Sequence, residues 1–379
     1  MSIRKASCEG VIGCEGVLGQ QRLTRRQFAA SAAAASAAAS WVVPGQALAD
    51  VHNLGAIAAR HGILFGASIN DGMKPDYAAL YEAQCRIATT DTALKFWDLR
   101  PDKATFNFAP GDRILAFCQA HGIKLRGHNL IWNETLPPWL HALDNRGVRR
   151  EFVAHITKVV RHYRGKLHSW DVINEPFWPG HNKPGYYRDG PWYEALGRGY
   201  IPEALKLVRA LDPDVKLVIN EAHTQTANGW GAGIRPALLR LLDELARAHV
   251  PLDAIGLESH LVPQWGYDRG AFKAFLRELS QHDVDIYLTE LDVNDAAFKG
   301  AQPARDREVA AVAARYLDDV LQHPRVKVIE TWQLADPYSW YLSTAFAGPR
   351  PMRPLPFDGQ MQPTPMFDAI AAAMQSYRG

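Results

Sequence analysis

From residue 63 onward, short apolar runs rich in β-branched residues alternate with longer stretches whose apolar positions recur every three or four residues. The short runs predict strands over Ile63–Ala67, Ala93–Trp97, Lys124–Leu130, Leu167–Asn174, Lys216–Asn220, Ala254–Ser259, Ile286–Glu290 and Val328–Trp332. Between them, Leu238, Leu241, Leu242 and Leu245 share one face of a helix predicted over Pro236–Ala248, with the proline at its start; Ala304–Gln322 is a second. Eight strands alternating with helices predict a single (β/α)8 TIM barrel. The rival, an open doubly wound sheet, calls for a G-x-G-x-x-G turn after its first strand, and none occurs. Polar residues gather where the predicted strands end, the face on which such barrels build their sites. Pro349–Pro356 reads as a stiff surface loop.

The first fifty residues break this pattern. Thr24-Arg25-Arg26-Gln27-Phe28 precedes an alanine-dominated stretch from Ala29 to Val43, and Ala47-Leu48-Ala49 follows. A charged region, an apolar region and a small-residue cleavage site predict a twin-arginine signal peptide over 1–49. That leaves a catalytic domain over 50–379, exported to the periplasm or beyond. No other run is long and apolar enough to suggest a membrane span. The formal net charge is +2, but residues 1–49 hold five of the 42 basic residues and two of the 40 acidic ones. What remains is close to neutral, which gives no reason to expect a nucleic-acid or membrane partner. Cys85 and Cys118 lack metal-type spacing and are expected as buried free thiols rather than a disulfide.

The chemistry concentrates at two strand ends. Trp170-Asp171-Val172-Ile173-Asn174-Glu175-Pro176 delivers Asn174 and Glu175 to one edge, and Ile286-Tyr287-Leu288-Thr289-Glu290-Leu291-Asp292 delivers Glu290 in the same way. Partial burial of a carboxyl group raises its pKa into the range of a general acid. Two glutamates facing one barrel axis can flank a glycosidic bond, one protonating the leaving oxygen and the other attacking carbon or activating water. Arg126-Gly127-His128-Asn129-Leu130-Ile131-Trp132 supplies a further strand end. Glu258 and His260 stand two apart, on the same side of a strand. Trp332 and Trp340 offer flat faces to sugar rings. His128, His260, Asp292 and the glutamates show no H-E-x-x-H or comparable spacing, so neither a metal nor another cofactor is expected.

These residues resemble glycoside hydrolase family 10, the retaining endo-1,4-β-xylanases on a (β/α)8 barrel. The motifs R-G-H-x-L-x-W, W-D-V-x-N-E, G-L-x-S-H-L, T-E-L-D and a late S-W occur in that family's order from about Ile63 to Tyr377. The resemblance implies Glu175 as general acid/base and Glu290 as nucleophile. Asn174 then bonds the 2-hydroxyl of the sugar at the cut, while His260 and Asp292 keep the nucleophile ionised. Lys95, His128 and Trp132 line the pocket for the sugar on the non-reducing side, with Trp332 and Trp340 as its floor and cover.

Five departures stand out. Where the family reads T-P-E-N-x-M-K-W, this chain has Thr89-Thr90-Asp91-Thr92-Ala93-Leu94-Lys95-Phe96, so Asp91 and Thr92 replace a Glu and an Asn of the sugar pocket. Asn133-Glu134-Thr135 stands for H-S-Q. Asn220-Glu221-Ala222 stands for N-D-Y, losing an aromatic platform on the leaving-group side. Glu258 replaces a Gln. Like-charge repulsion from Glu175 or Glu290 is expected to raise a pKa in this group, so that Glu258→Gln shifts the acid limb of the pH–rate profile. The sequence therefore predicts a monomeric endo-acting glycosidase on xylan, with a polysaccharide as its one partner. The competing readings are a relative cutting another β-glycoside, suggested by Thr92, Thr135 and Ala222, and a barrel that binds carbohydrate without cutting it.

Overall fold

The described residues form nine β-strands: β1 Leu64–Ile69, β2 Ile87–Thr90, β3 Lys124–Gly127, β4 Ser169–Asn174, β5 Lys216–Glu221, β6 Ala254–Leu257, β7 His260–Leu261, β8 Asp285–Val293 and β9 Val326–Thr331. The structure, a computed structural model, describes residues 53–343 and 350–378. The predicted signal segment 1–49 lies outside the described residues. Every pairing is parallel, in the order β6-β5-β4-β3-β2-β1-β9-β8-β7, and a β6–β8 pairing closes the circle. Eight strands form the barrel; β7 is a two-residue extension held against Asp292 and Val293 of β8. Helices fill the intervals, so each strand is buried between the lumen and the outer ring, which is why the strand sequences read as nearly continuous apolar runs.

The lumen is layered. Ile87, Val218, Ala254, Tyr287 and Val328 form an apolar cluster of their own within it. Beside it lies a buried ionic layer in which Arg126 meets Asp171 at 2.5 Å and Glu330 at 2.6 Å, with Thr89 Oγ1 donating to Glu330 at 2.9 Å. All four side chains are fully buried. Deleting one partner would strand a charge and cost about 3–5 kcal/mol. The ends of the same strands carry the candidate site.

Three boundaries differ from the sequence pattern. The second strand is Ile87–Thr90, not Ala93–Trp97, whose residues form a turn and the start of a helix at Phe96–Leu99. The two threonines of Ile87-Ala88-Thr89-Thr90 interrupt the apolar pattern, and inside the barrel they are satisfied by Glu330 and by His128 O. The helix predicted to begin at Pro236 runs over Gly229–Arg247 with the proline inside it, because the Asn228 side chain caps Trp230 N and Gly231 N a full two turns earlier. The described part of the expected surface loop is packed inward. Leu355 is fully buried, and Arg353 joins Asp306 at 2.9 Å and Asp336 at 3.3 Å. Cys85 and Cys118 are free and buried.

Candidate active site

Glu290 sits on β8, whose alternation turns it toward the lumen opening. Its Oε2 accepts from His260 Nε2 at 3.1 Å, and its Oε1 accepts from Asn220 Nδ2 at 2.9 Å. His260 Nδ1 lies 2.9 Å from Asp292 Oδ2, and Asp292 also accepts from the Trp340 indole at 2.8 Å and the Tyr341 hydroxyl at 2.9 Å. Burial works against a charged ring at His260, yet the carboxylates of Asp292 and Glu290 lift its pKa to about 10. Burial likewise works against charge on Glu290, but the His260 hydrogen bond and the cations around it hold the carboxyl down to about 2. Glu290 is therefore an anion across the whole working range of pH.

Glu175 follows β4 with a left-handed φ of 43°, its N–H bonded to Asn220 O at 2.8 Å. Its surroundings act the other way. Burial raises its pKa, Arg188 opposes this, and the carboxyls of Glu134 and Glu290 raise it further. Arg188 donates to Glu175 Oε2 and also to Glu134 Oε1, so its positive charge is divided. One glutamate is thus kept ionised and its neighbour is biased to stay protonated, the arrangement that separates nucleophile from acid.

Asn174 joins the pair through Asn220, whose Nδ2 lies 2.9 Å from Asn174 Oδ1 and 3.2 Å from Glu258 Oε1. Glu258 is buried. Burial raises its pKa well above the usual carboxylate range, and Glu290, Glu175 and Glu221 push it further while Arg188 opposes. The predicted geometry of Glu258 and His260 is reached differently from expectation. The strand breaks between β6 and β7 with Ser259 at a φ of 67°, yet ligand atoms of Glu258, His260 and Glu290 still lie within 4.8 Å of one another. Such a trio has the ligand atoms of a cation site, at which His260 would have to give up a proton for a metal to bind.

The remaining predicted residues assemble on the β2, β3 and β9 side. His128 Nδ1 lies 2.9 Å from Asp171 Oδ2, and its ring stands edge-on to Trp332 at 5.4 Å. Lys95 Nζ is 5.8 Å from the Trp132 ring and 5.4 Å from the Trp332 ring, with Asp91 Oδ1 at 4.0 Å. The shorter Asp91 is fixed by Gln333 Nε2 at 2.8 Å and Asn70 Nδ2 at 3.0 Å.

Arg188, Asn220 and Gln333 carry much of this geometry, yet the sequence reading assigned them no role. Arg188 lies in an irregular loop with no local motif. Asn220 was visible as the first residue of the altered N-D-Y motif, with no contact to the glutamates implied, and Gln333 as a neighbour of Trp332.

The fold and the oppositely tuned carboxyls define a (β/α)8 glycoside hydrolase. The sequence profile of Glycosyl hydrolase family 10 matches residues 53–373. Endo-1,4-beta-xylanase A of Phanerodontia chrysosporium is 30% identical over 322 residues, covering 83% of this chain and 74% of the relative. Native xylanase 10B from Thermotoga maritima superposes with a TM-score of 0.76 at 26% identity, over 85% of this chain and 98% of that one. Xylanase 10B from Thermotoga petrophila RKU-1, solved in complex with xylobiose, gives 0.76 at 25% identity, over 85% and 97%. The chain belongs to Glycosyl hydrolase family 10.

Proposed function

We infer that this protein is an endo-1,4-β-xylanase that cuts xylan with retention of configuration. The observation that carries the chemistry is the opposed tuning of two glutamates at one barrel mouth. Glu290, an anion held by His260, attacks the anomeric carbon. Glu175 gives its proton to the departing oxygen as the C–O bond breaks. Glu175, now a carboxylate, then takes a proton from water, whose oxygen displaces Glu290 from the anomeric carbon. In this reading Asn174 bonds the 2-hydroxyl, and Lys95, His128, Trp132, Trp332 and Trp340 hold the sugar on the non-reducing side. Relatives that are themselves endo-1,4-β-xylanases, one of them solved with xylobiose, support xylan as the polymer. A panel of xylan, β-glucan, cellulose and mannan with product sizes tests this; oligomeric products from xylan alone are expected. Glu290→Ala should abolish turnover of xylan and aryl xylosides alike, and retained activity would refute the assignment.

We further propose export by the twin-arginine route, supported by Arg25-Arg26 and the small residues ending at Ala49. N-terminal sequencing of the exported protein should begin at Asp50; an N-terminus that retains the arginine pair would overturn it. Among the described residues no helix is long and apolar enough to cross a membrane.

A further inference from the structure

The cleft has two chemically different ends. On the non-reducing side, Asp91, Lys95 and Gln333 present donors and acceptors that can read sugar hydroxyls. The opposite side, where Glu175 releases the leaving group, is built from the segments that follow β4, β5 and β7. There the family's aromatic residue is lost at Ala222, which is buried. In its place stands a cluster of aromatic rings, in which Trp178, His223 and Trp230 are tilted by 30–57° to one another and Trp265 stands edge-on to Trp230 at 87°. Trp178 lies 5.2 Å from Trp230 and 5.7 Å from His223, Trp230 lies 5.4 Å from Trp265, and His223 lies 4.9 Å from Trp230 and 5.0 Å from Trp265, all between ring centroids. All four side chains are partly exposed.

This cluster is continuous with the catalytic pair. The Arg188 guanidinium that bonds Glu175 also lies 4.7 Å over the Trp178 ring. His223 takes a left-handed φ of 58°, and burial with the nearby positive charges of His260 and Arg188 pushes its pKa down to about 3. The ring is therefore uncharged and adds a flat face rather than a cation. The segments that carry the cluster are tied together: Thr226 bridges Tyr267, and Gln225 Nε2 donates to His260 O at 2.8 Å.

We propose that Trp178, His223, Trp230 and Trp265 form the leaving-group subsite of this enzyme, taking the sugar rings beyond the cut by their apolar C–H faces. It rests on the xylanase reading and deepens it. Three indoles and a neutral imidazole offer flat surface and few acceptors, so this half of the cleft recognises ring flatness more than hydroxyl pattern.

The test is the position at which reducing-end-labelled xylopentaose is cut by the wild type, Trp265→Ala and Trp265→Tyr. Loss of the indole should move the cut toward the reducing end, leaving fewer sugars on the leaving-group side, and lower kcat/KM about tenfold, with tyrosine restoring much of both. Loss of support for the fold would slow every cut without moving its position. If Trp265→Ala does not fold, Trp265→Leu, bulky but without a flat ring, gives the same comparison. An unchanged cleavage position in a folded variant overturns the subsite while leaving the xylanase reading intact. A wild type that does not cut xylopentaose overturns both.

Discussion

Replacing Asp292 by Asn perturbs the nucleophile without touching it. Glu290 is held at a pKa of about 2 against an ordinary 4.5, which corresponds to about 3 kcal/mol favouring its anion. Burial opposes that shift, so the anion depends on the His260 hydrogen bond and neighbouring cations, and His260 in turn keeps its proton largely through Asp292. Asp292 is fully buried and accepts from Trp340 and Tyr341 as well. An amide carries no charge and turns one acceptor into a donor facing those groups. The His260 pKa should fall from about 10, and Glu290, left to burial, should rise toward and past 4.5. The sign for activity follows: the wild-type nucleophile is ionised at every pH above about 2, whereas the variant loses its nucleophile as pH falls through a higher value. The same shift is a stability term. It is fully present above the unfolded pKa near 4.5 and lost as pH falls toward 2. The assay is kcat/KM on xylopentaose from about pH 3 to about pH 8. Coincident acid limbs in the two enzymes would refute the relay from Asp292 through His260 to Glu290.

Two further predictions come from the same site. Glu258→Gln should move the alkaline limb of kcat/KM to lower pH and leave the acid limb in place. The structure shifts the expectation to that limb because burial keeps Glu258 neutral in acid, and its charge, once formed at higher pH, sustains the proton on Glu175; an alkaline limb that stays put, read from matched pH profiles, contradicts this. Gly256→Ala should cost about 1–3 kcal/mol of stability and most of the activity, since a Cβ there would meet Asn220 Oδ1 at 2.2 Å and displace the amide shared by Asn174, Glu258 and Glu290. Thermal melts and kcat measured together check it, and a variant with unchanged kcat would show that Asn220 does not organise the site.

Barrel architecture and both glutamates were legible in the chain because they depend on local order. An apolar run followed by Asn174-Glu175, or by Glu290 within Thr289–Asp292, brings a carboxyl to the barrel mouth whatever its neighbours are. His260, Asp292, Lys95, His128, Trp132, Trp332 and Trp340 also reach that mouth, since strand ends converge there by topology. Periodicity misplaced the second strand because Thr89 and Thr90 are polar by type and buried only through partners on other strands. It placed Pro236 at a helix start because the true cap, Asn228, lies outside the leucine pattern.

What the sequence by itself determined was the inventory: a (β/α)8 barrel with two glutamates at strand ends. Which glutamate holds its proton was decided only by tertiary structure. Charge acts through space, and the groups that separate Glu175 from Glu290 are distant in sequence. Arg188 is divided between Glu175 and Glu134, His260 is clamped by Asp292, and Asn220 spans three strand ends. The aromatic cluster has the same origin. Trp178 and Trp265 come from two separate loops and Trp230 from the first turn of the helix Gly229–Arg247, and closure of the barrel makes them neighbours.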